Sequence, residues 1–141
     1  MQDHYKDTGV FIRSTASRGA HGGLASTTAK LADLFRRSGY DVVLVETVGV
    51  GQADVDISQL ADVTLVVVVP GMGDEVQTIK AGIMEIADIF VLNKADRPGT
   101  GALESDLRDS LGAPRVVKTI ATEGQGIVEL VAAIRESAHV S

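Results

Sequence analysis

The hydrophobic and polar positions along the chain follow two different periods. Short runs rich in β-branched residues predict strands. These runs cover residues 9–13, 41–46, 63–69, 89–93 and 116–120. Longer stretches with apolar residues three or four positions apart predict helices. The helical stretches cover residues 24–37, 74–87, 101–111 and 126–139.

The order of these elements predicts the fold class. Strands that alternate with helices form βαβ units, in which helices flank a mostly parallel sheet. The run 63–69 is continuously apolar, which is typical of a parallel strand covered on both faces. Because the 141 residues contain no linker or internal repeat, we expect a single α/β domain over residues 1–141.

Composition and charge narrow the classes of partner. Lys and Arg number 13 against 19 Asp and Glu, a net charge of -6, which argues against a nucleic-acid-binding surface. The absence of cysteine excludes disulfides and thiolate metal sites. The longest apolar stretch, residues 63–70, is too short to cross a bilayer. We therefore expect a cytoplasmic protein with neither a nucleic-acid nor a membrane partner.

The motif with the most specific chemistry is Asn93-Lys94-Ala95-Asp96, which follows a predicted strand. Guanine presents its N1–H and N2 amino groups as neighbouring donors, and one carboxylate, that of Asp96, accepts both. Adenine lacks these donors and would leave the carboxylate unsatisfied. Asn93 would hold the loop and reach the base, and the Lys94 stem would cover a purine face. The motif predicts guanine binding, and the alternative is a polar turn leaving a strand.

A second motif, residues 46–52, follows the predicted strand 41–46. Glu46 there could hold Mg²⁺ through water, because Mg²⁺ keeps several waters in protein sites. Gly49 would let a backbone N–H approach a γ-phosphate, and Gln52 could orient an attacking water. The alternative is a flexible glycine turn with a solvated Glu46.

Two weaker signals lie farther along the chain. Asp74 and Glu75 follow the turn after the strand 63–69, where acidic residues suit a helix N-terminus and could also form a partner-sensing switch. Ala121 follows the strand 116–120 and could line a guanine pocket through its backbone.

The phosphate-binding signature of P-loop proteins, Gly-x4-Gly-Lys-Ser/Thr, does not occur in the sequence. The nearest approach, residues 112–119, has Val117 in place of the second glycine and precedes a strand instead of following one. Because the phosphate loop comes first in that fold, we expect a partial P-loop GTPase domain that lacks the phosphate-loop strand. Loss of this strand would leave an exposed sheet edge.

The runs 11–24, 46–52, 73–88 and 93–96 together resemble the methylmalonyl-CoA mutase-associated GTPases of the MeaB/ArgK type. The resemblance implies a GTP-hydrolysing chaperone, with Mg²⁺ and GTP or GDP as ligands, for an adenosylcobalamin-dependent acyl-CoA mutase. It also implies a homodimer in the full-length family.

By this resemblance, Glu46 is the Mg²⁺-linked acidic residue of a switch, and Asn93, Lys94 and Asp96 bind guanine. The residues that would couple nucleotide state to the mutase are Asp74, Glu75, Gln77 and Lys80. One alternative is a catalytically inert module that binds the mutase or a missing half of the domain. A nickel-insertion GTPase is disfavoured because the sequence lacks cysteine and clustered histidine.

Overall fold

The helices and strands follow the predicted order over most of the chain. The computed structural model describes residues 6–14, 23–47, 56, 58–71, 85–110 and 115–138. The elements in chain order are α1 (Gly23–Arg37), β1 (Leu65–Val68), β2 (Ile89–Asn93), α2 (Thr100–Ser105), β3 (Val116–Thr119) and α3 (Ile127–Ala138). A π-helical turn (Asp106–Ser110) extends α2, and a short 3-10 turn (Ala121–Glu123) precedes α3.

The strands form a three-stranded parallel sheet in the order β1-β2-β3. In its register Leu65 lies opposite Ile89, and Phe90 lies opposite Val116. The sheet confirms the predicted α/β class with parallel strands. Because all strands run the same way, the residues that follow β2 and β3 meet at one edge of the sheet.

The core lies on both faces of β2. Phe90 and Leu92 pack on one face with Leu103 and Leu107, which belong to α2 and its π-helical extension. Alternate residues of β2, Ile89 and Val91, lie on the opposite face, where they pack with Val117 of β3 and Ala133 of α3. A strand with apolar residues on both sides therefore anchors helices on both sides, as its unbroken apolar sequence predicts.

The predicted strands 9–13 and 41–46 are absent from the structure, so these two predictions are wrong. The solvent exposure of neighbouring residues still differs within 41–46, since Leu44 is 86% exposed and Val45 is 42% exposed. Alternation favours an extended backbone, but a strand also needs a hydrogen-bonded neighbour. The described residues provide no such neighbour for either segment.

The outer edge of β1 is also unpaired within the described part of the chain. The Thr64 carbonyl accepts the Ile89 N–H, so the backbone groups of Leu65 and Val67, which alternate with it, point away from β2. The Val67 side chain is 56% exposed, although its strand is almost wholly apolar. A sheet edge of this kind was expected from the sequence.

Helix α1 confirms the prediction for residues 24–37 and begins one residue earlier. Gly39, at φ 86°, ends it, and the Tyr40 N–H returns to the Phe35 carbonyl, as in a Schellman-type helix end. The Phe35 ring contacts the rings of Phe11 and Tyr40 at centroid distances of 5.4 and 5.6 Å. The contact fixes residue 11 against the helix.

The other helix predictions have mixed outcomes. Helix α3 confirms the prediction for residues 126–139 within a residue at each end, whereas α2 changes to π-helical geometry within the predicted 101–111 span. Most of the predicted helix 74–87 lies outside the described residues, and residues 85–87 are not helical. None of the described helices is both long enough and apolar enough to cross a membrane.

Candidate functional site

A cavity of about 160 Å³ lies beyond the carboxyl ends of β2 and β3. Its lining comes from the two segments that follow these adjacent strands. The lining residues are Asn93, Lys94, Asp96, Arg97, Ile120, Ala121 and Thr122. The sheet register explains the meeting of the two segments, because Asn93 at the end of β2 lies opposite Thr119 at the end of β3.

Asn93 ties the two sides of the cavity together. Its Oδ1 accepts a hydrogen bond from the Thr119 hydroxyl at 3.1 Å and a second from the Ala121 backbone N–H at 3.2 Å. An amide oxygen has two lone pairs, so these bonds use its accepting capacity. Asn93 thus spans from the strand end to the start of the 3-10 turn and holds both sides of the cavity.

The loop after Asn93 is held at several points by backbone groups. The Ala95 N–H donates to the Thr119 carbonyl at 3.1 Å, and the Arg97 N–H donates to the Lys94 carbonyl at 3.0 Å. The Thr100 hydroxyl shares its one proton between the Arg97 carbonyl at 2.6 Å and the Ala95 carbonyl at 3.1 Å. These bonds join the loop to β3 on one side and to the first residue of α2 on the other.

Lys94 is the one non-glycine residue with positive φ, 55°, in the part of the chain that the structure describes. A side chain in this left-handed region costs roughly 1–2 kcal/mol. Two bonds just after the strained residue hold it there, from the Ala95 N–H to Thr119 and from the Arg97 N–H to the Lys94 carbonyl itself. Such outliers concentrate at ligand sites, where surrounding structure fixes them.

The opposite wall of the cavity is a tight turn. The Glu123 N–H donates to the Ile120 carbonyl at 2.9 Å, and the Ile120 N–H donates to the Gln125 carbonyl at 3.1 Å. Gly126, at φ 75°, closes the turn, and a Cβ there would lie 2.0 Å from the Lys118 carbonyl oxygen. Only glycine allows the backbone this close approach.

The carboxylates of Glu104 in α2 and Asp96 in the cavity differ in their pairing. A hydrogen bond from Lys118 lowers the pKa of Glu104 below its ordinary value; partial burial opposes this shift, and a hydrogen bond from Arg108 adds to it. Asp96, in contrast, is exposed and has no cation within ion-pair distance among the described residues. The Asp96 carboxylate therefore remains available to an external donor.

The structure brings together four of the residues that the sequence singles out. Asn93, Lys94 and Asp96 line one cavity with Ala121, as expected from their positions after β2 and β3. Their roles toward a ligand stay predictions.

The remaining candidates are either displaced or outside the described residues. Glu46 is exposed and does not follow a strand, which corrects the expectation that it leaves the end of one. No group of three or more His, Asp or Glu side chains that could hold a metal occurs within the described ranges. The candidate residues that lie outside the described ranges are Gly49, Gln52, Asp74, Glu75, Gln77 and Lys80.

Thr119 is the site residue that the motifs did not reveal. It is 2% exposed, and its side chain lies on the same face of the sheet as Val117. A polar residue at an inward position, at the carboxyl end of a strand, is the sequence signal that could have identified it.

The fold and the cavity define the class of the protein. A parallel sheet flanked by helices, with polar loops beyond the carboxyl ends of its strands, is here part of a P-loop GTPase domain. The chain belongs to the MeaB family: the family model described as methylmalonyl Co-A mutase-associated GTPase MeaB matches residues 1–141.

Individual relatives support this assignment. A GTPase-family protein of Pyrococcus abyssi is 54% identical over 96% of this chain and 45% of its own length. The mouse protein named methylmalonic aciduria type A homolog, mitochondrial, is 34% identical over 95% of this chain and 35% of its own. The GTPase ArgK of Escherichia coli is 42% identical over 68% of this chain and 29% of its own. The chain thus spans less than half the length of these relatives.

Proposed function

We propose that this chain is the guanine-binding part of a GTPase that assists an adenosylcobalamin-dependent acyl-CoA mutase. The main support is the cavity beyond β2 and β3, where an anchored amide and a tight backbone turn meet a carboxylate that has no ion-pair partner among the described residues. The family assignment supports the same activity, and the family's description supports a mutase of the methylmalonyl-CoA type as partner.

The proposed binding chemistry follows from the donors and acceptors in the cavity. Asp96 would accept the N1–H and N2 amino protons of guanine in a charge-assisted pair. The Lys94 stem would cover a face of the ring. The cavity, about 160 Å³, is small beside the roughly 300–1,000 Å³ of sites that enclose drug-sized ligands, so it suits a single base. The sugar and phosphates would lie outside it.

Magnesium binding is part of the proposal. Glu46 is an exposed oxygen ligand, and Mg²⁺ sites commonly use one or two carboxylates together with water and substrate phosphates. Glu46 would therefore contribute one ligand, directly or through water, and bound Mg²⁺ would neutralise phosphate charge. Gly49 and Gln52 would serve the γ-phosphate and the attacking water.

The proposed contact with the mutase uses the segment from Asp74 to Lys80. Glu75 and Gln77 lie between these residues and complete the acidic and polar set that would respond to nucleotide state. We expect the chain by itself to hydrolyse GTP slowly, because its sequence lacks the lysine and glycines of a phosphate loop. Turnover equal to that of a full-length homologue would contradict this expectation.

The test of guanine binding is a titration of the chain with GDP, GTP and ATP in the presence of Mg²⁺. We expect the two guanine nucleotides to bind and ATP not to bind. The Asp96→Asn variant should lose about 10- to 100-fold in GDP affinity, since hydrogen bonds to a charged group contribute about 1.5–3 kcal/mol. Calorimetry or ligand-observed NMR measures the dissociation constants.

Asp106→Asn provides the matched control, because it also removes one exposed carboxylate but does not line the cavity. Its GDP affinity should equal that of the unmodified chain. Equal losses in the two variants, or equal binding of ATP and GDP, would refute guanine recognition by Asp96.

A second candidate function is a catalytically inert interaction module. The observation that favours it is the exposure of large apolar residues in two segments, including Phe11 at 57% and Leu44 at 86%. Such a module would bind the mutase, or the missing half of the GTPase domain, equally well with and without nucleotide. Co-purification with a methylmalonyl-CoA mutase, measured in GDP, in GTP and without nucleotide, separates the two functions.

A further inference from the structure

We infer that the outward side of α3 is a self-association surface, on which two copies of the chain pair with their α3 helices antiparallel. This surface, called here the outer face of α3, consists of four exposed residues: Val128, Val131, Ala132 and Arg135. They lie three or four positions apart, a spacing that places residues on one side of a helix. The inference does not depend on guanine binding, because none of these residues lines the cavity.

Helix α3 has apolar residues on two opposite sides. Leu130, Ala133 and Ile134 pack with the core on one face of the sheet, and Ala133 is fully buried. On the outer face, Val128 is 79% exposed and Val131 is 41% exposed. The outer side of a surface helix is normally polar. An apolar outer side therefore indicates that α3 makes a second contact.

The charges of α3 are complementary to those of a second copy. Glu129 lies in the first turn of the helix and Arg135 in its last turn. Neither forms an ion pair within the described ranges, whereas Glu136 is paired with Arg115 at 2.6 Å. A helix with an unpaired carboxylate near one end and an unpaired guanidinium near the other matches a copy of itself that is turned end to end.

The positions of these residues define one register. In an antiparallel pair with its two-fold axis between residues 131 and 132, Val131 lies opposite Ala132 of the second copy. Val128 then lies opposite Arg135 of the second copy, whose aliphatic stem would cover it. The guanidinium at the end of that stem would reach Glu129, the next residue along the helix. The small Ala132 side chain lets the two helices approach closely at the centre.

The antiparallel direction follows from the same charges. In a parallel pair each Glu129 would face its own counterpart, as would each Arg135, and like charges repel. Antiparallel helices also bring the opposite ends of their dipoles together. The contact is about two helical turns long, so it buries less than the roughly 1,200 Å² at the lower limit of stable interfaces. We therefore expect a weak dimer, with a dissociation constant of about 0.1–1 mM.

The first test is sedimentation velocity of the full chain from about 10 μM to about 1 mM, which spans the expected dissociation constant. We expect a monomer at the low end and a large dimer fraction at the high end. Val128→Asp places a charge on the outer face of α3 and should weaken dimerisation about 10-fold. Val42→Asp is the matched control, because Val42 is 70% exposed but lies far from α3 in the sequence. It should leave the dissociation constant unchanged.

The second test uses charge reversal to probe the register. Glu129→Arg and Arg135→Glu should each weaken self-association about 3- to 10-fold, because each creates two like-charge contacts across the two-fold axis. An equimolar mixture of the two variants should form a heterodimer about as stable as the unmodified dimer, because both contacts again join opposite charges. Circular dichroism of each variant checks that the helix content is retained.

Each outcome bears on the inference directly. A chain that stays monomeric at about 1 mM would overturn it. A dimer that Val42→Asp abolishes and Val128→Asp leaves intact would place the contact on other apolar residues and would also overturn it. Charge variants that associate no better when mixed than when separate would overturn the antiparallel register. Loss of the dimer in Val128→Asp, together with recovery in the mixture, would support both the surface and the register.

Discussion

Two regions of the chain differ in how their apolar segments pack. Residues 85–138 contain strands that pair in a sheet, whereas residues 6–47 contain a helix and apolar segments that form no strand. In the first, β2 lies between two parallel neighbours and is buried on both faces. In the second, α1 forms and ends at a glycine, but the apolar segments around residues 10–12 and 42–45 have no strand partner in the described part of the chain.

The difference between the two regions shows that a helix depends on its own segment, whereas a strand depends on a neighbouring strand. A helix makes its hydrogen bonds within one segment, so α1 forms from its own sequence and capping residues. A strand makes them with a neighbour, so the alternating residues 41–46 stay outside the sheet. The Arg36–Asp62 ion pair, at 3.5 Å, links α1 to the segment before β1, and surface pairs of this kind contribute little.

The largest expected effect is the difference between Phe90→Ala and Leu44→Ala in the free energy of unfolding. Phe90 is fully buried in the core beside α2, so its truncation should lower the free energy of unfolding by about 3–5 kcal/mol. Leu44 is 86% exposed, and its truncation should change that free energy by less than about 0.5 kcal/mol. Urea unfolding measures both, and equal losses would show that the two regions share one core.

Two glycines, one in each region, allow the same comparison for the backbone. Gly126 and Gly39 have similar positive φ values, 75° and 86°, but a Cβ at Gly126 would lie 2.0 Å from the Lys118 carbonyl oxygen while one at Gly39 would meet no atom within 4 Å. Gly39→Ala should cost about 1 kcal/mol for the left-handed backbone. Gly126→Ala should cost roughly 2–4 kcal/mol, because a clash with backbone adds to the same strain.

Thermal or urea unfolding of the two variants isolates the clash, since the conformational penalty is common to both. Gly126→Ala should also weaken GDP binding, because the turn that it closes forms one wall of the cavity. Equal destabilisation by the two substitutions would mean that the turn at Gly126 moves at little cost, and the cavity would then be less rigid than its hydrogen bonds indicate.

The sequence predicted most of what depends on local pattern. It placed β2 at residues 89–93 and α3 within a residue at each end, because apolar periodicity and flanking glycines are local signals. It placed Asn93, Asp96 and Ala121 at one sheet edge, because parallel strands bring their carboxyl ends together.

The features that the sequence did not predict depend on non-local pairing. The absence of strands at 9–13 and 41–46 depends on which neighbour is present, and this information is not in those segments. The hydrogen bond from Thr119 to Asn93 depends on the register between β2 and β3, which sets the two residues opposite each other. The left-handed backbone of Lys94 depends on the bond that the next residue, Ala95, donates to Thr119 of β3, which adds to the local bond from Arg97 to Lys94.

The smallest expected effect concerns an ion-pair cluster at the edge of the well-packed region. Glu104 accepts hydrogen bonds from Lys118 at 3.0 Å and from Arg108 at 3.2 Å, and these cations hold its pKa below its ordinary value despite partial burial. A carboxyl with a lowered pKa in the folded state stabilises that state above its unfolded pKa and loses the effect as pH falls through the lowered pKa. The stability from Glu104 is therefore present at neutral pH and lost in acid.

We expect Glu104→Gln to lower the free energy of unfolding by roughly 0.2–1 kcal/mol at neutral pH, in the range of partly exposed ion pairs. The difference from the unmodified chain should shrink as pH falls through the acid range, because protonated Glu104 is as neutral as glutamine. Urea unfolding over a pH series measures this, with Glu129→Gln, an exposed carboxylate in the first turn of α3, as the control. A difference that stays constant with pH would assign the contribution of Glu104 to packing. The join between α2 and β3 would then depend on side-chain contact instead of charge, in keeping with the apolar core beneath it.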